Sequence, residues 1–242
     1  MEQLQSKTAL ITGASRGIGR AIALRLARLG VTPLLSARRP EGLEVLATEM
    51  ESEFGVRPTC ISADLADEAS VSALVAAVTQ STDTLDILIN NAGMTFSGAL
   101  EETPTQVWDR CLAVNARGPF ILCRDLLSLL RRGSRPCIVN IASVVGIKGY
   151  AQQSAYTASK HALRGMSIAL AEELQPEGIR VHVVCPGGVD TDMVSQVRPD
   201  IAREDLMQPE DVADAVVFLI TRLGKGIVDE IRIRRESSAP WF

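Results

Sequence analysis

Two side chains suited to proton transfer, Tyr156 and Lys160, lie four positions apart in a stretch predicted to be a long helix. At this spacing both lie on one helix face. A cation beside a phenol favours the phenolate, so a tyrosine whose pKa is ordinarily about 10 would exchange protons closer to neutrality. Ser143 precedes the pair, at the end of an apolar run. A solvated lysine beside a half-buried tyrosine is the structural alternative, and the accompanying motifs weigh against it.

A glycine-rich turn near the N-terminus is a candidate phosphate site. Residues 12–19 read TGASRGIG and connect a predicted strand to a predicted helix. Glycine permits positive φ and a close approach of the backbone to a ligand, and free N–H groups at a helix N-terminus bind phosphate. The Gly-x3-Gly-x-Gly spacing differs from the commoner G-x-G-x-x-G fingerprint. A tight strand-to-helix connection without a ligand is the alternative.

The end of the second predicted strand indicates which dinucleotide this turn would bind. Where an adenosine 2′-hydroxyl is recognised, a carboxylate follows the glycines by about twenty residues. Here Ala37 is followed by Arg38 and Arg39, and no carboxylate is present. Arginine binds phosphate through its planar guanidinium, and Arg16 could reach the same space. The alternative, that both arginines are solvated and bind no ligand, is less favoured, because a cation at a helix N-terminus is unfavourable unless an anion is bound there. The pattern therefore predicts a 2′-phosphate and NADP(H).

Polar residues follow three further strands. Asp64 could accept a hydrogen bond from an adenine amino group, whereas Asp67 is better placed to cap a helix. Residues 90–93 (NNAG) and 186–191 (PGGVDT) follow two other strands, and each could equally be only a turn. In parallel sheets the ligand site lies at the carboxyl ends of the strands, so we expect these segments to converge.

The chain alternates short apolar runs with longer amphipathic segments, which predicts an α/β fold. The predicted strands are 7–12, 31–37, 57–62, 85–90, 136–142, 180–185 and 227–233, with Pro33 near the start of the second. The predicted helical segments are 17–29, 41–54, 68–80, 105–132, 154–174 and 209–222, and 186–207 is predicted to be irregular. Strands that are apolar on both faces indicate a parallel sheet covered on both sides. We therefore expect residues 1–242 to form one doubly wound domain around a seven-stranded parallel sheet.

Composition argues against several classes of protein. The net charge of −4 disfavours a nucleic-acid-binding surface. No apolar run approaches the roughly 18 residues that a membrane span needs, and no secretory signal is expected. The five cysteines form no CxxC pair, which indicates reduced thiols in a cytoplasmic protein. His161 and His182 are interpreted as packing or surface residues, so no metal site is expected.

In their order and approximate spacing, these motifs resemble the short-chain dehydrogenases/reductases, single-domain Rossmann-type oxidoreductases that use NAD(P). The resemblance rests on the glycine turn, the NNAG segment, Asn115, Ser143, the Tyr156-x3-Lys160 pair and the PGxxxT segment. It covers residues 7–192 closely and the remainder loosely. Any one motif is weak evidence, but all of them in register make coincidence implausible.

The resemblance implies roles for four catalytic residues. Tyr156 would protonate the carbonyl oxygen as hydride arrives, and Ser143 would hydrogen-bond and polarise the same carbonyl. Lys160 would bind the nicotinamide ribose and hold down the pKa of Tyr156. Asn115 would support a water chain that relays protons to Lys160.

The resemblance also implies the cofactor contacts. The glycines would pack against the pyrophosphate, Asp64 would bind adenine, Asn91 would line the adenosine ribose, and Val189 and Thr191 would hold the carboxamide. Arg16 and Arg38 match basic positions of NADP(H)-preferring members. The predicted cofactor-binding residues are Gly13, Ser15, Arg16, Gly17, Ile18, Gly19, Arg38, Asp64, Leu65, Asn91, Ala92, Gly93, Tyr156, Lys160, Pro186, Gly187, Val189 and Thr191.

The substrate pocket is expected to be lined by residues that follow the motifs, including Met94, Phe96, Val144 and Lys148. The residues predicted to bind substrate are Ser143, Val145, Tyr150, Gln153, Tyr156 and Met193. Segment 192–207 folds over the substrate in the family and is short here, which indicates a modest lid.

Chain length and the TGASRGIG turn resemble members that reduce 3-oxoacyl thioesters with NADPH, which is the first hypothesis for function. The C-terminal segment from Ile227 to Arg235 lacks the usual VDGG-like ending and is more like that of sepiapterin-reductase-type enzymes. Reduction of a small diketone or a pterin side chain is therefore the alternative. A cofactor-binding sensor without turnover is disfavoured, because it would not need all four catalytic residues.

Wide apolar faces are predicted on the helices around 108–130 and 156–174. Family members commonly pair these helices, so a homodimer or homotetramer is expected, although the faces could simply pack on the sheet. We expect the terminal Trp241 and Phe242 to dock on this subunit or a neighbour. A small molecule is the other expected partner, with no nucleic acid and no membrane.

Overall fold

The computed structural model describes residues 4–198 and 200–240. Within them the chain forms a seven-stranded parallel sheet in the order β3-β2-β1-β4-β5-β6-β7. The strands are β1 (Thr8–Thr12), β2 (Thr32–Ala37), β3 (Thr59–Ser62), β4 (Ile87–Asn90), β5 (Cys137–Ile141), β6 (Arg180–Pro186) and β7 (Glu230–Ile233). The predicted α/β class and the parallel, seven-stranded sheet are confirmed.

Helices cover both faces of this sheet. The α-helices are α1 (Gly17–Arg28), α2 (Pro40–Phe54), α3 (Glu68–Ser81), α4 (Thr105–Leu112), α5 (Gly118–Asp125), α6 (Leu127–Leu130), α7 (Ser154–Leu174), α8 (Asp192–Val197) and α9 (Pro209–Thr221). Successive strand side chains point to opposite faces. Ala9 and Ile11 therefore pack with α1, α2 and α9, while Leu10 packs with α3, α5 and α6. This two-sided burial explains the apolar strands.

Local signals account for several element boundaries. The Asp67 side chain caps α3 by accepting a 3.2 Å hydrogen bond from the Ala69 N–H, as its position predicts. Helix α2 ends at Gly55, whose φ of 67° is left-handed. Pro33 is the second residue of β2 and precedes the first β2–β3 pairing at Leu34. Its missing N–H therefore interrupts no β2–β3 pairing.

The helical region predicted over 105–132 is divided into several helical segments. A π-helical turn (Ala113–Arg117) lies between α4 and α5. Pro119 has no N–H to donate to the carbonyl of Asn115 four residues earlier, which disturbs the α-helical pattern at this point. The disturbance falls on a residue that the sequence marks as catalytic.

Two C-terminal expectations also need correction. Segment 186–207 is not wholly irregular, because it contains α8 and a 3-10 turn (Arg203–Asp205). The last strand begins at Glu230 rather than at 227. Just before it, the carbonyl of Val228 accepts a 2.8 Å hydrogen bond from His182 Nδ1, and the carbonyl of Asp229 accepts one of 2.8 Å from the Val183 N–H.

None of the five cysteines is in a disulfide bond. No helix in the described ranges is both long and apolar enough to cross a membrane. The same ranges contain no group of three or more His, Cys, Asp or Glu side chains that could hold a metal ion. The predicted docking of Trp241 and Phe242 falls outside the residues that the structure describes.

Candidate active site

The site lies where the strand order reverses, at the carboxyl ends of β1 and β4. Here the glycine turn and the NNAG segment are hydrogen-bonded to each other. The Thr12 hydroxyl accepts from the N–H groups of Asn91 and Ala92, both at 3.0 Å. The Asn91 amide donates to the carbonyls of Thr12 (2.9 Å) and Gly13 (3.2 Å). Asn91, predicted to line the adenosine ribose, thus holds the turn in shape.

Two glycines of the turn have no space for a side chain. Gly13 has a φ of 66°, and a Cβ there would lie 2.8 Å from Ala92 Cα. A Cβ at Gly19 would lie 2.3 Å from the Gly13 carbonyl oxygen and 2.4 Å from Asn91 Nδ2. The residue types are therefore dictated by the packing of backbone against backbone. The result is a cradle at the start of α1 in which N–H groups can meet a phosphate.

The segment after β6 reaches the same turn. A Cβ at Gly17 would lie 3.0 Å from the methyl carbon of Thr191. Arg16 forms an ion pair with Asp192, the first residue of α8, and both side chains are largely exposed. The structure thus brings the glycine turn, NNAG and PGxxxT segments together, as the strand-end argument predicts.

Arg38, the residue predicted to select the cofactor, lies at the surface. Arg38 follows β2, is exposed, and forms no ion pair with any residue in the described ranges. Asp64, the predicted adenine contact, accepts from the Ala66 N–H at 2.9 Å and pairs with Arg110 at 2.7 Å. Burial acts to raise the pKa of Asp64, but these hydrogen bonds outweigh it and lower the pKa overall. Asp64 therefore remains a charged acceptor.

Ser143 connects the ends of three elements. It follows β5 and begins a 3-10 turn (Val144–Gly146). Its hydroxyl accepts from the Val145 N–H at 3.3 Å and donates to the Pro186 carbonyl, at the end of β6, at 3.4 Å. It also lies close to the Tyr156 side chain on α7. The two hydroxyl groups that the sequence pairs for carbonyl chemistry are therefore neighbours.

The protonation of Tyr156 differs from the expectation. Burial raises its pKa to about 12, although the neighbouring Ser143 hydroxyl acts to lower it. Lys160 is itself buried, and burial lowers its pKa to about 8. Its ammonium donates to the Ile141 carbonyl at 2.8 Å. In this arrangement burial outweighs the effect that was expected from a neighbouring cation, and Tyr156 is held as a phenol.

Asn115 is fully buried beside Lys160. Its side-chain carbonyl accepts from the Met94 N–H at 2.8 Å, and its amide donates to the Met94 carbonyl (2.8 Å) and the Ser159 hydroxyl (2.9 Å). A Cβ at Gly93 would lie 3.3 Å from Asn115 Oδ1 and 3.5 Å from Lys160 Nζ. The side chain thus fixes the segment after β4 against α7. Its part in a proton relay remains a prediction.

A buried polar chain that the sequence analysis missed supports these elements. Asn90 donates to the side chain of Asn140 at 2.8 Å, and Asn140 donates to the Ser167 hydroxyl at 2.7 Å. These bonds connect β4, β5 and α7. An asparagine within the apolar β5 run was the signal that could have revealed it, because a buried amide needs partners.

A cleft of ≈ 180 Å³ opens over Ser143 and Tyr156. It is lined by Thr95, Ser143, Val144, Val145, Lys148, Tyr150, Gln153, Tyr156, Gly187, Gly188, Met193, Val194, Val197, Arg198, Ile201, Arg234, Arg235, Ser238 and Ala239. All six residues predicted to bind substrate are in this set, and their contact with a substrate remains a prediction. Met94 and Phe96 are not in this set, whereas Thr95 between them is.

Two segments cover this cleft. Helix α8 supplies Met193, Val194 and Val197, and the loop that carries it is closed at its base, where Met207 N–H donates to the Gly188 carbonyl at 3.1 Å. The C-terminal segment after β7 covers the other side. No sequence motif placed that segment in the site, although its departure from the VDGG-like ending marked it as unusual.

The comparisons with known proteins agree with this geometry. A sequence model of the short chain dehydrogenase family matches residues 7–202. The chain is 34% identical over 237 residues to the 3-oxoacyl-acyl-carrier-protein reductase FabG of Aquifex aeolicus. The aligned region covers 95% of this chain and 96% of that protein.

Two solved structures are also similar. An alcohol dehydrogenase from the archaeon Thermococcus sibiricus, complexed with 5-hydroxy-NADP, has a TM-score of 0.90 and 29% identity over 98% of this chain and 100% of that one. A metagenomic short-chain oxidoreductase in complex with NADP has a TM-score of 0.83 and 33% identity over 97% and 99% of the two chains. The match to the family model, the shared fold and the arrangement of Ser143, Tyr156 and Lys160 all agree: this chain belongs to the short-chain dehydrogenase family of oxidoreductases.

Proposed function

We propose that this protein is an NADPH-dependent carbonyl reductase that acts on a small carbonyl compound. The observation that carries the proposal is that the Ser143 and Tyr156 side chains lie near each other in the lining of one small cleft. Gly187, which follows β6 directly, lies in the same lining. A carbonyl oxygen bound between the two hydroxyl groups would be polarised by one and protonated by the other.

The residues around the glycine turn fit NADP(H). The cradle at Gly13 and Gly19 leaves backbone N–H groups for a pyrophosphate, and Arg38 stands exposed at the end of β2. Arg16 is engaged with Asp192, but a pair this exposed contributes little stability, so its guanidinium can turn to a phosphate. The 5-hydroxy-NADP in one of the two similar structures and the NADP in the other support the same cofactor.

The protonation states favour reduction. NADPH, when bound, supplies the hydride that adds to the carbonyl carbon. Tyr156 then gives its proton to the carbonyl oxygen, and a pKa of about 12 keeps that proton on the phenol at neutral pH. An alkoxide is a stronger base than a phenolate, so the transfer is downhill. Ser143 donates a hydrogen bond to the oxygen during the step. The Lys160 cation lies on the same helix, four residues after Tyr156.

Two substrate classes fit the site. The volume of ≈ 180 Å³ is below the roughly 300 Å³ at which pockets for drug-sized ligands begin, which favours a small ketone or aldehyde. The similar alcohol dehydrogenase supports this choice. A 3-oxoacyl thioester is the second candidate, supported by the similarity to the A. aeolicus reductase. Only its oxoacyl end would then enter the cleft.

NADPH oxidation, followed at the nicotinamide absorbance, tests the proposal. The panel is diacetyl, an aromatic aldehyde, a pterin diketone and the N-acetylcysteamine thioester of acetoacetate, with NADH in parallel. We expect turnover of at least one small carbonyl compound, faster with NADPH. Turnover of the thioester alone would favour the second candidate. If no compound of the panel is turned over although NADPH binds tightly, the reductase proposal is contradicted and a sensor is favoured.

We also propose that the protein is a homodimer or homotetramer. Large apolar side chains are exposed on three helices of one region: Trp108 on α4 (40%), Phe120 on α5 (45%) and Ile168 on α7 (53%). Exposed apolar surface of this kind commonly marks an interface. Light scattering coupled to size-exclusion chromatography measures the mass directly. A mass of 26.0 kDa at micromolar concentration would contradict the proposal.

A further inference from the structure

The cleft over Ser143 and Tyr156 is strongly cationic. Four basic residues line it, namely Lys148, Arg198, Arg234 and Arg235, and no described Asp or Glu is part of the lining. The chain as a whole carries a net charge of −4. Positive charge is therefore concentrated at the cleft on an otherwise acidic protein. A charged cleft with low-dielectric walls focuses its field on ions of opposite sign.

Two of these arginines are engaged by the protein itself. Arg198 forms a bidentate pair with Asp200, with both N–O distances at 2.8 Å. Arg234 donates to three main-chain carbonyls of the C-terminal segment, those of Arg235 (3.1 Å), Glu236 (3.1 Å) and Ser238 (2.7 Å). Arg234 therefore shapes the turn that presents its neighbour.

Arg235 is in a different situation. Its side chain lies over Gly188, where a Cβ would be 3.2 Å from Arg235 Cδ and 3.5 Å from its Nε. It is half-buried and donates to the Ser237 hydroxyl at 3.3 Å. It has no ion pair within 4 Å with a carboxylate of residues 4–198 or 200–240, although the more distant Asp200 carboxylate also interacts with it. A guanidinium has five N–H donors, so most of the N–H groups of Arg235 are available to a ligand.

Packing fixes this guanidinium within the lining. Gly188 belongs to the segment after β6, and β7 pairs with β6 through Pro186 and Ile233. Arg235 follows that last pair by two residues, so the strand register sets its position. A partly desolvated cation in a cleft is stabilised by an anion, and arginine binds carboxylate and phosphate in a bidentate manner.

We propose that Arg235 binds a compact anionic group, a carboxylate or a phosphate, on the substrate whose carbonyl lies at Ser143 and Tyr156. The inference rests on the proposed reductase function and names its substrate class: a carbonyl compound that carries an anion beyond the reacting group. The anion has two possible sources. It is the carboxylate of a free oxo acid or a phosphate of a pantetheine-linked oxoacyl thioester.

Matched charged and neutral substrates test this proposal. The first pairs are 4-oxopentanoate and 5-oxohexanoate with their methyl esters, and the second is acetoacetyl-coenzyme A with its N-acetylcysteamine analogue. We expect kcat/KM to be about ten-fold or more higher for the charged member of one set. A preference in the first set identifies a carboxylate, and one in the second set identifies the phosphate-bearing arm.

Substitution then assigns the preference to one side chain. Arg235→Gln should reduce the charged-to-neutral ratio of kcat/KM towards one, and Arg235→Lys should retain part of it. Arg232→Gln is the matched control, because Arg232 pairs with Glu230 at 2.6 Å and is not part of the cleft lining. That variant should keep the wild-type ratio. Equal values for charged and neutral substrates in the wild type, or a ratio that Arg235→Gln leaves intact, would overturn the proposal.

A binding measurement separates this proposal from the reductase function. Titration calorimetry of the same oxo acids and of acetoacetyl-coenzyme A into protein saturated with NADP⁺ requires no turnover. Anion affinity that falls about ten-fold in Arg235→Gln supports the anion site even if no substrate is reduced. If none of these anions binds, the anion site is wrong, whatever happens to the neutral carbonyl compounds in the reductase assay.

Discussion

The ammonium of Lys160 donates a 2.8 Å hydrogen bond to the carbonyl oxygen of Ile141, the last residue of β5. This bond ties α7, which carries Tyr156, to the strand that leads into Ser143. The positions of the two reacting hydroxyl groups therefore depend on a buried lysine. Burial lowers the pKa of Lys160 from 10.5 to about 8, so its charged form is disfavoured in the folded protein.

This shift predicts a pH dependence of stability. Between pH 8 and pH 10.5 the unfolded chain binds the Lys160 proton more tightly than the folded chain. The lysine's destabilising contribution is therefore fully present below pH 8 and declines as pH rises towards 10.5. Relative to Lys160→Met, the wild type should gain about 1 kcal/mol in free energy of unfolding from pH 7 to pH 9. Urea unfolding at the two pH values measures it, and a constant difference would contradict it.

The hydroxyl groups of Tyr156 and Ser143 should affect turnover far more than cofactor binding. Tyr156→Phe removes the proton donor and should abolish turnover, with nearly unchanged NADPH affinity, because the phenol acts mainly in the transition state. Ser143→Ala should reduce kcat by about 10²–10³-fold. Steady-state kinetics and NADPH fluorescence titration provide the two measurements.

A control for these substitutions is available on α3. The Ser72 hydroxyl donates to the Glu68 carbonyl of its own helix at 3.0 Å and is exposed, so Ser72→Ala should leave kcat unchanged. Turnover in Tyr156→Phe comparable to the wild type would show that another group is the acid.

The cofactor preference should depend on Arg38. Arg38→Asp replaces a cation that suits a 2′-phosphate with a carboxylate that suits a ribose hydroxyl. The ratio of kcat/KM for NADPH to that for NADH should fall by about ten-fold or more. Arg39→Asp makes the same change in charge one residue along, at the cap of α2, and should alter the ratio much less. Equal effects at both positions would indicate general electrostatics rather than a specific contact.

Sequence periodicity predicted the elements that position the site, because its signals there are local. The apolar pattern after Gln153 gives α7 its observed bounds, and Asp67 caps α3 through a bond within its own turn. The glycine spacing predicted the turn at β1 for the same reason. Residues whose function depends on neighbours in sequence were therefore accessible without coordinates.

Features set by distant contacts were not accessible. Arg235 lies over Gly188 only because of the register between β6 and β7, which no spacing along the chain encodes. The raised pKa of Tyr156 follows from burial, which requires the packed fold. Pro119 could have suggested the π-helical turn. That the turn contains Asn115 matters because Asn115 bonds to Ser159 of α7, a contact that only the packed fold shows.

The packing of Gly146 against Lys160 provides the last prediction. A Cβ at Gly146 would lie 3.0 Å from the Lys160 carbonyl oxygen and 3.3 Å from its carbonyl carbon. Both atoms belong to the backbone of α7, so the helix must shift to admit a methyl group. Gly146→Ala should lower the free energy of unfolding by about 1–3 kcal/mol. It should also reduce kcat, because Tyr156 and Lys160 move with the helix.

Gly165 on the same helix is the matched control, since a Cβ there meets no atom of the described residues within 4 Å. Gly165→Ala should stabilise the protein by about 0.5–1 kcal/mol, because alanine loses less backbone freedom than glycine in a helix. Urea unfolding and kcat measured for both variants separate the two effects. If Gly146→Ala also stabilised the protein without loss of kcat, α7 would have room to move, and the close approach of Gly146 could not be what positions Tyr156.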